Sequence, residues 1–108
     1  MATYIVSYDL APDGDYQSLY AELKAKKVWA RVTESTWVIV TDESAAELRD
    51  RLTTVMDDKD RLFVVKSGVE AAWRNARCKN EWLKKWLRAT HLGLNRTRTL
   101  PAQTILRS

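Results

Sequence analysis

A carboxylate ends the first apolar run of the chain, and its position allows several kinds of chemistry. The run TYIVSYDL, residues 3–10, is β-branched and aromatic until it reaches Asp9, and Asp13 follows shortly after it. An aspartate in this position can accept backbone N–H groups of a turn, can be a solvated surface charge, or can bind a hard divalent cation. The residues alone leave these three roles of Asp9 open.

Three other side chains with reactive groups stand by themselves. Cys78 lies between Arg77 and Lys79, whose charges favour a lowered thiol pKa, although a lone thiol in a basic segment is more often incidental. Ser35 separates two β-rich runs, where a turn hydroxyl is the default role and a phosphate contact is the rarer one. His91 has no cluster of ligands beside it and is a poor candidate for catalysis or zinc binding. The sequence has no Walker-type glycine loop, no paired Cys-x-x-Cys and no His-Glu-x-x-His motif.

Basic residues are concentrated in the last third of the chain. Residues 1–73 carry 9 Lys and Arg against 13 Asp and Glu, a net charge of −4, whereas residues 74–108 carry 9 against 1, a net charge of +8. Cations interleaved with tryptophans are typical of nucleic-acid-binding surfaces, and a solvated helix face is the simpler explanation for any one of them. The candidate nucleic-acid-binding cations are Arg74, Arg77, Lys79, Lys84, Lys85, Arg88, Arg96 and Arg98.

Composition places the chain among ordinary globular proteins. Its 108 residues are 45% hydrophobic and 30% charged, which fits a single domain. The single cysteine excludes an intrachain disulfide and fits a reducing cytosol. No apolar run is long enough to span a bilayer, and the first residues lack a signal-peptide pattern. We therefore expect a cytoplasmic protein without a membrane partner.

Four runs of β-branched and aromatic residues predict the strands that position these side chains. The runs are TYIVSYD, VWARVT, TWVIVT and RLFVVK. Only Glu34 and Ser35 separate the second run from the third, so these two strands must form an antiparallel hairpin.

Two amphipathic helices are predicted between the strands. The first has apolar residues at i, i+3, i+4 and i+7 from Tyr16 to Leu23, and Asp13 or Asp15 precedes it as a cap. The second begins at Ser44, with Glu47 at the spacing of a capping box. Its predicted buried stripe consists of Ala45, Leu48, Leu52 and Val55.

The order βαββαβ over residues 1–68 predicts an α+β, ferredoxin-like domain. Such a domain has a four-stranded antiparallel sheet with both helices on one face, and right-handed crossovers place the first and third strands in the middle. The other face is too apolar to remain uncovered, and we expect a second subunit there before the rest of the chain or nucleic-acid bases. Depending on the register, this face takes either Tyr4, Val6 and Tyr8 or Ile5 and Ser7, with Trp29, Trp37 and Ile39 as further candidates.

The chain changes character after Gly68. Residues 69–93 predict a basic helical extension that contains tryptophans, with one long helix or two shorter ones from about Glu70 to Leu92 and an end at Gly93. Residues 94–108 predict a basic C-terminal arm that orders only on a partner. The tryptophans of the extension are predicted to pack more often than to stack on bases, and they are Trp73, Trp82 and Trp86.

The stretch from Thr3 to Ser67 resembles the Cas2 family and its Cas2-like relatives outside CRISPR loci. The likeness lies in the Tyr8-Asp9 step that ends the first strand and in the serine followed by an aromatic-apolar strand, Ser35, Trp37 and Val38. The resemblance implies a ferredoxin-like homodimer that meets through its sheets and has DNA or RNA as its ligand.

The resemblance also implies a catalytic role for Asp9 as a metal ligand. Asp9 of both subunits would hold Mg²⁺ or Mn²⁺ for hydrolysis of a phosphodiester. The acidic residues Asp13, Asp15 and Glu22 depart from the basic residues that DNA-handling members of the family have at these positions.

We therefore expect a Cas2-like dimer that binds nucleic acid, with weak metal-dependent nuclease activity. One alternative is a non-catalytic dimeric module whose C-terminal extension docks a protein partner. The other is a relative of the toxin-like ribonucleases.

Overall fold

A computed structural model describes residues 1–68 and 70–88. This part of the chain forms an α+β structure with one four-stranded antiparallel sheet and three α-helices, in the strand order β2-β3-β1-β4. None of the helices in this part is long and apolar enough to cross a membrane. The elements are β1 (Ala2–Asp9), α1 (Tyr16–Lys24), β2 (Trp29–Thr33), β3 (Thr36–Thr41), α2 (Ala45–Thr53), β4 (Arg61–Lys66) and α3 (Asn80–Leu83), and α3 continues into a π-helical turn (Lys84–Arg88).

One face of the sheet packs against α1 and α2. Val6 is at the centre of this face, paired with Trp37 of β3 on one side and with Val64 of β4 on the other. Tyr4 and Tyr8 share the face because side chains alternate along a strand. The core that they form with the helices also contains Leu19, Leu23, Ile39, Leu48 and Leu52. The candidates Trp29, Trp37 and Ile39 for the opposite face were therefore wrong: Trp37 and Ile39 are fully buried under the helices, and Trp29 pairs with Ile39 and packs against the same core.

Both helix starts agree with the sequence patterns. Asp15 caps α1, and its Oδ1 accepts the backbone N–H of Ser18 at 3.0 Å. Ser44 caps α2 through a complete capping box: its hydroxyl accepts from the N–H of Glu47 at 3.1 Å, and the Glu47 carboxylate accepts from the N–H of Ser44 at 2.8 Å. Each cap satisfies N–H groups that the first helical turn leaves without a partner.

A single arginine ties α2 to two neighbouring segments. The Arg51 guanidinium makes two hydrogen bonds to the Glu43 carboxylate, at 2.8 and 3.0 Å, and a third to Glu22 Oε1 of α1 at 3.1 Å. Thr41 at the end of β3 donates its hydroxyl to Glu43 at 3.0 Å. This network closes the helix layer at the edge of the core.

The second face of the sheet is partly covered by residues 70–88, which we call the C-terminal segment. Leu83 and Leu87 of this segment are buried against Val38 of β3. The segment also touches β1, since Thr3 donates its hydroxyl to the carbonyl of Trp86 at 3.3 Å. Partly buried residues around this second cluster are Ile5, Val32, Ala71, Trp73, Ala76, Cys78 and Trp82. The same chain thus occupies much of the surface for which we expected a second subunit first.

We predicted one long helix or two shorter ones from about Glu70, but residues 70–79 contain no helix and the structure describes bends and irregular backbone there. The backbone N–H of Arg77 donates to the carbonyl of Val32 in β2 at 2.8 Å, instead of to a carbonyl one helical turn earlier. Asn75 has a positive φ of 55°, which a right-handed helix excludes. The helix therefore begins at Asn80, and the predicted end at Gly93 lies outside the described residues.

Part of the second face remains uncovered along β4. Phe63 is 63% exposed and Val65 is 40% exposed. They pair with Ser7 and Ile5 of β1 and so lie on the same face as these residues. We call Phe63 and Val65 the β4 patch.

Candidate nucleic-acid interface

Asp9 lies at the end of β1 with its side chain 72% exposed to solvent. It pairs with Arg61 in the antiparallel ladder, and its Oδ2 is 3.7 Å from the Arg61 guanidinium. A shallow depression of about 160 Å³ surrounds this ion pair, lined by Ser7, Tyr8, Asp9, Arg61, Leu62 and Phe63. Asp9 therefore faces solvent next to the β4 patch.

The described part of a single copy of the chain supplies too few oxygen ligands for a divalent cation at Asp9. A hard cation such as Mg²⁺ takes several oxygen ligands. The charged group beside Asp9 is the Arg61 guanidinium, whose positive charge repels a metal ion. Within residues 1–68 and 70–88 no three His, Cys, Asp or Glu side chains cluster as a metal site would require. The metal hypothesis therefore needs oxygen ligands from a second copy.

The role of accepting N–H groups from the loop after β1 belongs to Asp60. Its Oδ1 accepts from the N–H of Ala11 at 2.6 Å, and its Oδ2 accepts from the N–H of Asp57 at 2.8 Å. Asp60 thus joins the loop after β1 to the loop before β4. Asp60 therefore holds this loop without Asp9. The contact between Asp9 and Arg61 is a separate, exposed ion pair at the surface.

The tyrosine that precedes Asp9 holds the hairpin turn. The Tyr8 hydroxyl accepts from the indole N–H of Trp37 at 3.1 Å and donates to the carbonyl of Glu34 at 3.2 Å. Burial is the main reason that the pKa of Tyr8 is raised above its ordinary value. The carbonyl of Ser35 accepts the backbone N–H of Tyr8 at 3.2 Å. Tyr8 and the Ser35 backbone are thus structural, and a phosphate contact by the Ser35 hydroxyl stays a prediction.

The structure brings two of the eight predicted cations into one groove. Arg77 and Lys79 line it together with Arg31 of β2, whereas Arg74, Lys84 and Lys85 are exposed outside it. The other three predicted residues fall beyond the described side chains, namely Arg88, Arg96 and Arg98.

The groove runs between the edge strand β2 and the C-terminal segment, and its volume is about 420 Å³. Its lining includes two tryptophans, three basic residues and no acidic residue, although Trp29 and Arg31 direct their side chains to the helix face of β2, where they contact Trp37 and Tyr20. The lining residues are Trp29, Ala30, Arg31, Arg77, Cys78, Lys79 and Trp82. The hydrogen bond from Arg77 to Val32 anchors one wall to β2. We call this feature the basic groove.

Arg31 is held firmly at the rim of the basic groove. Its Nε and Nη2 donate to the carbonyl of Glu34 at 3.2 and 2.7 Å, and Nη2 also donates to the Tyr20 hydroxyl at 3.0 Å. The guanidinium lies 4.8 Å from the Tyr20 ring centroid and 5.7 Å from that of Trp37. These cation–π contacts fix the charge without neutralising it.

Arg31 was absent from the predicted cation set, and Trp29 was predicted only as a candidate for the uncovered sheet face. They are two residues apart in β2 and therefore share one face of that strand, a spacing that the sequence already contains. The missing information was that residues 77–82, far along the chain, lie beside this edge strand.

Cys78 does not have the lowered pKa that its basic neighbours suggested. The thiol is half-buried in the wall of the basic groove, and burial raises its pKa above the ordinary value. Arg77 and Lys79 are exposed to solvent, where water screens their charges. The thiol is therefore a poor nucleophile in this environment.

The other isolated candidate, His91, lies outside the described residues. Within residues 1–68 and 70–88, the basic groove and the Asp9 surface both bring together side chains that could carry a function. No family model matches the chain.

Proposed function

We propose that this protein binds nucleic acid and that the basic groove is its binding surface. The observation that carries the proposal is the lining of the groove, in which Trp82 accompanies the exposed cations Arg77 and Lys79 and no acidic residue is present. Phosphate groups supply the negative charge that such walls attract, and bases have flat faces that indoles can contact. The net charge of +8 in residues 74–108 adds a long-range attraction for the same ligand.

The proposal extends to a ferredoxin-like, Cas2-like arrangement of the domain. The strand order β2-β3-β1-β4 and the packing of α1 and α2 on one face support it. The cytoplasmic location stays a prediction.

Removing the two groove cations that belong to the C-terminal segment should weaken binding. For Arg77→Ala/Lys79→Ala we expect a loss of affinity on the order of tenfold at low salt and a decrease of about 1.4 in the slope of log affinity against log salt, since each lost phosphate contact on a single strand contributes about 0.7. The measurement is fluorescence anisotropy with labelled DNA and RNA over a series of salt concentrations.

The matched control is Arg49→Ala/Lys59→Ala, which removes the same charges from exposed positions away from the groove. We expect this control to change affinity only slightly, because net charge alone acts at long range and is screened by salt. Equal weakening by the two double variants, or no binding by the unaltered protein, would contradict the assignment of the basic groove.

A second candidate function is metal-dependent hydrolysis of a phosphodiester by a homodimer, with Mg²⁺ or Mn²⁺ held by Asp9 of both subunits. The observation that favours it is the β4 patch, an exposed apolar surface beside Asp9 on the uncovered part of the sheet face. Exposed apolar patches mark interaction sites, and a two-fold axis near this patch would bring the two Asp9 residues towards one another.

The nuclease hypothesis predicts a complete loss of metal-dependent cleavage in Asp9→Ala, with the dimer retained. The control is Asp13→Ala, which removes an exposed acid from the neighbouring loop and should cleave normally. Cleavage is followed on labelled DNA and RNA with Mg²⁺, with Mn²⁺ and with a chelator, and mass is measured by light scattering. Unchanged cleavage by Asp9→Ala, or a strictly monomeric active protein, would eliminate the shared site and leave a non-catalytic binding module.

A further inference from the structure

We infer that the basic groove takes single-stranded nucleic acid, with a base stacked on Trp82 and the adjoining phosphates held by Arg77 and Lys79. This inference rests on the proposed function and specifies its ligand. Three features of the groove lead to it: its shape, the state of its two indoles and the position of its cations.

The shape of the basic groove suits a strand better than a duplex. Proteins read the duplex major groove with a protruding helix or β-ribbon. The basic groove is a concavity of about 420 Å³, in the range of pockets that enclose small ligands. The neighbouring helical part of the C-terminal segment does not protrude, because Leu83 and Leu87 hold it down on the sheet.

Indoles in the walls of a groove select unpaired bases. Inside a duplex both faces of each base are covered by neighbouring base pairs, so an aromatic side chain can stack only on a base that is free of them. A tryptophan in the lining of a small groove, here Trp82, therefore favours a ligand whose bases are unstacked. A duplex would leave this ring without a contact of this kind.

Trp82 is the better stacking surface of the two. Trp29 already contacts Trp37, with ring centroids 5.3 Å apart, and the Lys24 ammonium lies 5.2 Å from its ring. The contact of Trp82 is with Trp86 at 6.2 Å, and the ring is half-buried where it lines the groove. We assign stacking to Trp82, because the Trp29 ring is occupied on the helix face of β2.

Two cations line the groove together with Trp82 and can hold the phosphates of a bound strand. Arg77 and Lys79 are exposed and flank Cys78, which lines the same wall. Arg31 of β2 adds a positive charge near this edge, although its guanidinium is held on the helix face by Tyr20 and Glu34. An acidic peptide would also satisfy this charge but would gain little from the indoles, so it serves as a competing ligand in the test.

The binding test uses the full chain, an oligothymidylate and an oligouridylate of about 12 nucleotides, within the ~4–16 nucleotides of known single-strand sites, and a mixed-sequence duplex of equal length. We expect single strands to bind at least about tenfold more tightly than the duplex. Trp82→Leu should weaken single-strand binding by about 5- to 100-fold, the usual effect of losing one base–aromatic stack. Trp82→Phe keeps an aromatic ring and should recover most of the affinity.

The control Phe63→Leu removes an exposed aromatic ring outside the groove and should leave affinity within about twofold, since it removes no stacking surface from the groove. A second measurement needs no variant. Cys78 is the single cysteine of the chain and lines the groove. A bound single strand should therefore slow its reaction with a thiol reagent, whereas the same concentration of duplex should not.

The outcomes separate the inference from the proposed function. Duplex binding as tight as single-strand binding, with sensitivity to Arg77→Ala/Lys79→Ala, would overturn the inference and keep the function. The inference would also be overturned, and the function kept, if Trp82→Leu bound single strands with unchanged affinity and a bound strand did not slow the reaction of Cys78 with the thiol reagent. Absence of binding to any nucleic acid, or equally tight binding of polyglutamate with protection of Cys78, would overturn both.

Discussion

Replacing Leu83 by alanine should lower the free energy of unfolding by about 2–5 kcal/mol, the cost of deleting a fully buried leucine side chain. Leu83 is 0% exposed and packs with Leu87 against Val38 on the second face of the sheet. The loss is the sum of two terms: the hydrophobic transfer free energy of the removed side-chain carbons, and the cost of the cavity that remains under the C-terminal segment. Urea unfolding followed by circular dichroism measures this change.

The control is Lys84→Ala, the next residue along the chain, which is exposed and should change stability by no more than about 0.5 kcal/mol. If Leu83→Ala and Lys84→Ala unfold at the same urea concentration, the C-terminal segment is not part of the cooperative unit. A large effect means that the segment stabilises the sheet and that any dimer must use the surface left over along β4.

Replacing Arg51 by methionine should lower the free energy of unfolding by about 1.5–3 kcal/mol at neutral pH, the range for hydrogen bonds to charged groups. The Glu43 side chain is 15% exposed and that of Arg51 is 19% exposed, so water replaces the lost partner poorly. Methionine keeps most of the apolar length of the side chain, so the loss reports mainly on the hydrogen bonds of the guanidinium to Glu43 and to the carbonyl and carboxylate of Glu22. The control is Arg49→Met, because Arg49 and its partner Asp50 are well exposed and such pairs contribute little.

The same network gives the protein a pH dependence of known sign. The hydrogen bonds from Arg51 hold the pKa of Glu43 below its ordinary value of 4.5. A group whose pKa is lower in the folded state stabilises the fold above the unfolded-state pKa, and this contribution is lost as the pH falls through the folded-state value. Stability should therefore decline in acid below pH 4.5, and the decline should be shallower in Arg51→Met. Parallel pH profiles of the two proteins would contradict this assignment.

Several residues of the candidate site could be predicted from the sequence, but the contact that brings them together could not. Arg77 and Lys79 were identified from the basic composition of the last third, and they line the basic groove. Trp29 and Arg31 belong to β2, where they look like ordinary residues of an edge strand. They join the site only because the C-terminal segment returns along that edge, a contact between residues more than forty positions apart.

The sequence by itself determined the strands, the hairpin and the two helix starts. These depend on neighbours a few residues away, such as the alternation in β1, the two-residue separation of β2 from β3, and the Ser44–Glu47 box. Which face of the sheet lies under the helices was decided only by tertiary packing, because both alternating sets in β1 contain apolar residues. The same is true of residues 70–79. Their composition favours a helix, but they adopt irregular backbone packed against the apolar second face. Burying Ala71, Trp73 and Ala76 there stabilises the whole fold more than an isolated helix would.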